Sequence, residues 1–176
     1  DIYGMGNYFI NLTDSDGKVI LPLVFLDSNM YGDGGWFYSG FDCIHEDQVD
    51  WCMDKLSKLK KENSDIRAMA FFHIPVNEFK EAYEKMKMGD KAVVYKHGNI
   101  GEADDHFGIP KWMFCGHDHL NTLSLVYKGI QLTYGMSIDY LGYKGIMNRH
   151  TQRGGTLITR HTDGSVSIKM VPLKEK

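Results

Sequence analysis

Cysteine is scarce in this chain of 176 residues: Cys43, Cys52 and Cys115 are all there is, and no two of them form a Cys-x-x-Cys motif. An odd, small number excludes a full disulfide framework and makes buried thiols the default. A Cys43–Cys52 bridge is the pairing that stays open. Neither sign of charge dominates. Twenty Lys and Arg against 23 Asp and Glu leave a net charge of −3, so there is no electrostatic signature for nucleic acid or an anionic membrane. No apolar run approaches the roughly 20 residues that a bilayer-spanning helix needs. The glycine-rich stretch Tyr31-Gly32-Asp33-Gly34-Gly35-Trp36 lacks a following Gly-Lys-Ser/Thr, which removes support for a nucleotide P-loop. Asp14 and Asp16 open like a calcium loop, but Phe25 stands where the closing glutamate belongs, so a turn is expected there. Internal repeats, linkers and low-complexity segments are also missing, and residues 1–176 read as a single domain.

What is present is an ordinary globular composition, 43% hydrophobic and 24% charged, with a legible order of elements. Asn7 to Leu12 and Val19 to Leu26 are predicted strands around a turn-rich loop. Glu46 to Lys61 is a predicted amphipathic helix, with Val49, Cys52, Met53, Leu56 and Leu59 at helical spacing. Its acidic start and lysine-rich end complement the helix dipole, so the lysines read as a solvated face, and His45 reads as structural. Ile66 to Phe72 is a predicted strand, ended by Pro75. A second helix runs from an Asn77 N-cap to about Lys87. Residues 88–110 read as an exposed loop with one short strand. After it come a short buried strand, Trp112 to Cys115, and two hairpins, turning at Lys128-Gly129 and Asp163-Gly164. Strand, turn and helix in succession predict an α/β layered domain.

Two predicted strands end in histidine. The first delivers His73, followed by Ile74-Pro75. The second stops at Gly116 and is followed by His117-Asp118-His119. Imidazole is a common ligand for zinc, manganese and iron. In an extended segment, His117 and His119 would project to the same side, about 7 Å apart. That spacing suits two neighbouring ions better than one.

Phe71-Phe72-His73-Ile74-Pro75 followed by Gly116-His117-Asp118-His119 resembles the last two metal-binding motifs of the calcineurin-like metallophosphoesterases, in the purple-acid-phosphatase-like branch. Gly4-x-Gly6-Asn7-Tyr8, Leu26-Asp27-Ser28, Gln48-x-x-Trp51, Tyr134-Gly135 and Arg153-Gly154-Gly155 echo the same branch in family order. The family's upstream Asp-x-His, Gly-Asp-x-x-Asp and Gly-Asn-His-Asp/Glu motifs do not stand ahead of His73. The resemblance therefore implies the C-terminal half of a metallophosphoesterase domain, with its upstream half absent. The fold implied is a layered sandwich of mixed β-sheets flanked by helices, part of a four-layer αββα arrangement.

The resemblance also implies an activity: hydrolysis of a phosphoester by a water that two manganese, iron or zinc ions activate. By the same resemblance, His73 and His117 bind one ion and His119 the other, while the general-acid histidine lies in the absent half. His97, Arg149 and His150 are the candidates for substrate contact, with His106 beside them in the 88–110 loop. Three histidines cannot fill the coordination of two ions. The chain by itself is thus expected to bind metal weakly and to have no substantial turnover. Missing core strands would leave an exposed sheet edge through which a second copy could dimerise. The rival expectations are a non-catalytic module that keeps the fold and binds through the loops at 88–110 and 135–152, and a single structural zinc held by His73, His117 and His119.

Overall fold

The computed structural model describes residues 2–32, 40–98, 111–143 and 153–173. Eleven elements follow one another: β1 (Tyr8–Thr13), β2 (Val19–Phe25), α1 (Glu46–Glu62), β3 (Met69–Phe71), α2 (Asn77–Lys87), β4 (Val93–His97), β5 (Trp112–Cys115), β6 (Ser124–Tyr127), β7 (Ile130–Tyr134), β8 (Gly154–Arg160) and β9 (Val166–Pro172). The first seven strands form one mixed sheet in the order β1-β2-β3-β5-β7-β6-β4, and β8 and β9 form a separate hairpin. Strands β2, β3, β5 and β7 run parallel in its centre. Their carboxyl ends therefore share one edge, where α/β sheets commonly carry their sites.

Alternation of side chains builds three layers. Val24 and Ala70 face α1, where they meet Cys52. Met113 and Cys115 face α2 and pack with Val76, Phe79 and Ala82. Leu21, Met69 and Phe114 point to the opposite face, against Ile158, Val166 and Ile168 of the β8–β9 hairpin. Strand β5 is covered on both faces, which explains why Trp112-Met113-Phe114-Cys115 reads as an unbroken apolar run. Each fully buried apolar side chain contributes roughly 1.5–3 kcal/mol. The molecule is thus an α/β layered sandwich, as its sequence pattern implies. None of the helices among the described residues is long and apolar enough to cross a membrane.

Several boundaries shift by one residue, and two others differ for a structural reason. Strand β3 spans Met69–Phe71 alone, because Ile66 and Ala68 are buried beside α1 without joining the ladder. Val76, not Asn77, is the N-cap of α2, and no side chain caps that helix. The three cysteines are free, Cys52 and Cys115 being buried, so the Cys43–Cys52 bridge does not form.

The dispersed echoes Asn7, Asp27 and Gln48 turn out to be one polar cluster. Gln48 is fully buried. Its amide nitrogen donates to Asn7 Oδ1 at 2.7 Å and to the Asp27 carbonyl at 2.8 Å, and its oxygen accepts the His45 N–H at 2.7 Å. Asp27 accepts backbone N–H groups from Met5, Gly6 and Asn29, so it holds a turn. Burial raises the Asp27 pKa, but those three donors together outweigh it and hold the carboxyl below its ordinary range. Gln48→Ala strands several of these groups and is expected to cost about 1–3 kcal/mol of stability. Urea denaturation measures it; a loss below ~0.5 kcal/mol would show that water replaces the amide.

Candidate metal centre

Residues just past the strand ends stay locked to one another. Phe72 N–H donates to the Phe114 carbonyl at 3.1 Å, Gly116 N–H to the His73 carbonyl at 3.0 Å and Gly135 N–H to the Cys115 carbonyl at 2.8 Å. The parallel ladder thus continues into the loops that carry the histidines. The Ser28 hydroxyl, buried after β2, accepts the N–H groups of His73 and Ile74 at 3.2 and 2.9 Å. Gly116 is small for a local reason: a Cβ there would lie 3.4 Å from His73 Nδ1.

His73 and His117 consequently face each other. Their ring centroids are 5.3 Å apart and nearly perpendicular. Partial desolvation of the His73 ring, then the charges of His117 and His119, lower its pKa. His73 therefore favours the neutral form in which imidazole binds a metal.

The extended geometry expected for His117–His119 does not occur. His117 has φ +65°, and the Asp118 N–H donates to the Gly116 carbonyl at 2.8 Å. That i to i+2 bond around a left-handed residue is a γ-turn, a strained conformation for a side-chain-bearing residue. The turn sends Asp118 into the core, where it is 4% exposed and accepts from the Asn121 amide at 3.0 Å. Tyr134 hydrogen-bonds Asp118 as well; burial first, then Cys115 and Asp118, push the Tyr134 hydroxyl far above its usual pKa. Asp118 thus anchors the loop, and the two histidines stay at the surface of the edge.

His119 has a partner that sequence reasoning passed over. Its Nδ1 lies 2.7 Å from Asp139 Oδ2. The His119 hydrogen bond, then the N–H groups of Leu141 and Gly142, hold the Asp139 pKa down to about 2. A carboxylate on one imidazole nitrogen fixes the tautomer and leaves Nε2 for an ion, a common arrangement behind metal-bound histidine. The available signal was positional: Asp139 follows β7, whose end shares the edge with β3 and β5. Aromatic rings flank the cluster. Phe41 meets His117 edge-on at 4.2 Å and Tyr143 meets His119 at 5.5 Å.

His97 is placed elsewhere. It ends β4 on the same sheet edge, but β7 and β6 lie between β4 and β5, which puts it about 14 Å from the histidine loop by strand spacing. Its Nε2 is buried there without a hydrogen-bond partner. Arg149, His150 and His106 lie outside the described residues.

Three imidazoles at one edge, one of them backed by a carboxylate, are a donor set suited to zinc, manganese or iron. They do not close on a single ion. Among the described residues, the group whose donor atoms all lie within 4.8 Å of one another is Asp42, Cys43 and His45, not His73, His117 and His119. That spread disfavours the single structural zinc and fits ligands shared between ions that need further donors.

No family model and no solved structure matches the chain. Among curated proteins it is 33% identical over 135 residues to phosphatase DCR2 of Saccharomyces cerevisiae, covering 70% of this chain and 23% of that protein. It is 31% identical over 163 residues to probable inactive purple acid phosphatase 29 of Arabidopsis thaliana, covering 81% of this chain and 41% of the relative. For probable inactive purple acid phosphatase 28 of the same plant, the figures are 26% over 159 residues, 81% and 38%. The chain thus spans 23% to 41% of the length of these relatives.

Proposed function

We propose that this chain, which is related to the purple-acid-phosphatase-like metallophosphoesterases, supplies His73, His117 and His119 as metal ligands for phosphoester hydrolysis. The observation that carries the proposal is the parallel pairing of β3 with β5, which sets His73 and His117 5.3 Å apart at the carboxyl edge of the sheet. Manganese, iron or zinc ions held there would polarise a phosphoryl group and acidify the attacking water. The chain's own residues do the positioning. Ser28 and Gly116 fix the His73 loop, Asp118 and Tyr134 fix the turn at His117, and Asp139 holds the His119 ring. Phe41 and Tyr143 wall the edge on either side. Further ligands are needed to complete the centre.

A second reading has its own support. Several relatives carry "inactive" in their names, and the described histidines fall short of a full ligand set. In that reading the fold is kept as a non-catalytic binding module.

Metal binding separates the histidine assignment from chance. In the 15N-labelled chain titrated with Mn²⁺, the imidazole signals of His73, His117 and His119 should broaden before that of His161. Asp139→Ala should weaken the effect about 10- to 100-fold by freeing the His119 ring. Broadening that starts at His161, or that is unchanged in Asp139→Ala, would remove the assignment.

A further inference from the structure

The loop that leads into α1 holds a second group of metal-competent side chains, which the proposed hydrolysis does not use. Asp42, Cys43 and His45 each present one donor atom, all within 4.8 Å of one another. His45 Nε2 is 2.9 Å from Asp42 Oδ1, and the His45 ring is stacked on Tyr3 at a centroid distance of 3.7 Å. Asp42 is 7% exposed. Its Oδ1 also accepts the Cys43 N–H at 2.8 Å. Its Oδ2 is buried without a well-formed hydrogen bond. Burial raises the Asp42 pKa, but His45, the Cys43 N–H and the Tyr3 side chain, which reaches the carboxylate, together outweigh it and hold the pKa down. A buried carboxylate oxygen without a donor is costly, and a cation beside it would remove the cost.

We propose that Asp42, Cys43 and His45 bind a zinc ion, with the fourth tetrahedral position open to water. One imidazole, one thiolate and one carboxylate form a donor set that zinc accepts and that hard ions such as magnesium and calcium do not. The Cys43 thiol gives up its proton to solvent as the S–Zn bond forms. The bland alternative is that the Asp42–His45 contact simply orders the start of α1. That start is also secured by the His45 N–H on Gln48 Oε1 at 2.7 Å, a bond that uses the backbone of His45 and not its ring. The ion would sit one residue from Phe41, whose ring also pairs with Tyr31 at 5.9 Å. It would therefore clip the aromatic wall beside His117 to the first turn of α1.

Cobalt(II) titration of the purified chain under a non-thiol reductant tests this. A thiolate ligand gives a near-ultraviolet sulfur-to-cobalt charge-transfer band, which imidazole and carboxylate do not. Cys52 and Cys115 are buried, leaving Cys43 as the partly exposed thiol. The band should appear in the wild type, vanish in Cys43→Ser and survive in His117→Ala. Zinc affinity measured by competition with a chromophoric chelator should fall at least tenfold, roughly, in Cys43→Ser and in Asp42→Asn. A wild type without the band, a band that persists in Cys43→Ser, or one lost in His117→Ala overturns the assignment. Should Cys43→Ser fail to fold by circular dichroism, alkylation of the wild type decides: zinc must protect Cys43 from N-ethylmaleimide, and equal labelling with and without zinc overturns the site.

Discussion

His117→Ala, made in the native full-length protein, is expected to lower metal-dependent hydrolysis of an aryl phosphate by on the order of 100-fold or more, while His161→Ala leaves it within about twofold. The first change removes an imidazole held 5.3 Å from His73 at the sheet edge. The second removes an exposed hairpin histidine whose Nε2 pairs with the Ser167 hydroxyl at 2.9 Å. Truncation at His117 should not unfold the loop, since its anchors are Asp118, Asn121 and Tyr134. Alanine keeps the Cβ, so the backbone cost of φ +65° is the same in the variant and the wild type. Assays at several concentrations of manganese separate lost metal affinity from lost chemistry. Equal losses in the two variants would mean that the histidine edge is not the site. A wild-type protein that binds manganese through these histidines yet turns over nothing would favour the non-catalytic module.

Gly98→Ala is expected to destabilise the protein by more than 3 kcal/mol, approximately, whereas Gly17→Ala costs about 1 kcal/mol. Both glycines have the same backbone hand, φ +86° and +79°. Their surroundings differ. A Cβ on Gly98 would lie 1.8 Å from the Thr122 carbonyl oxygen and 2.8 Å from Leu123 N, whereas nothing lies within 4 Å of a Cβ on Gly17. The atoms met at Gly98 are backbone, so relief requires β4 to move away from the chain entering β6. Thr122 is also three residues past His119, so the clash reaches the histidine loop. Paired urea melts measure the difference. Similar costs at the two positions would show that the β4 edge yields easily. In that case the Mn²⁺ response of His119 should also be unchanged in Gly98→Ala.

Much of the α/β order was legible because each element carries its own period. Glu46–Glu62 shows helical spacing, Trp112-Met113-Phe114-Cys115 is an apolar run suited to a strand buried on both faces, and Lys128-Gly129 takes the left-handed turn that its short hairpin needs, with φ +50° and +78°. His73, His117 and His119 were legible as a group because two strand-like runs each stopped at a histidine motif. Their chemistry depends on residue type, which sequence states directly.

Tertiary structure decided the rest, because contacts between distant residues leave no local period. The parallel pairing of β3 with β5 is what turns two separate motifs into facing rings. The γ-turn at His117 overrode the extended geometry that alternation suggested, since the buried Asp118 is satisfied by Asn121 and Tyr134 and pulls the backbone round. Asp139 was invisible as a partner of His119 across 20 positions, and so was the convergence of Asn7, Asp27 and Gln48. His97, by contrast, reads in sequence as a substrate-contact candidate in the 88–110 loop, yet strand order places it three strands from the histidine loop. Local composition determined which elements form and which side chains can bind metal; the order of strands in the sheet determined which of those side chains meet.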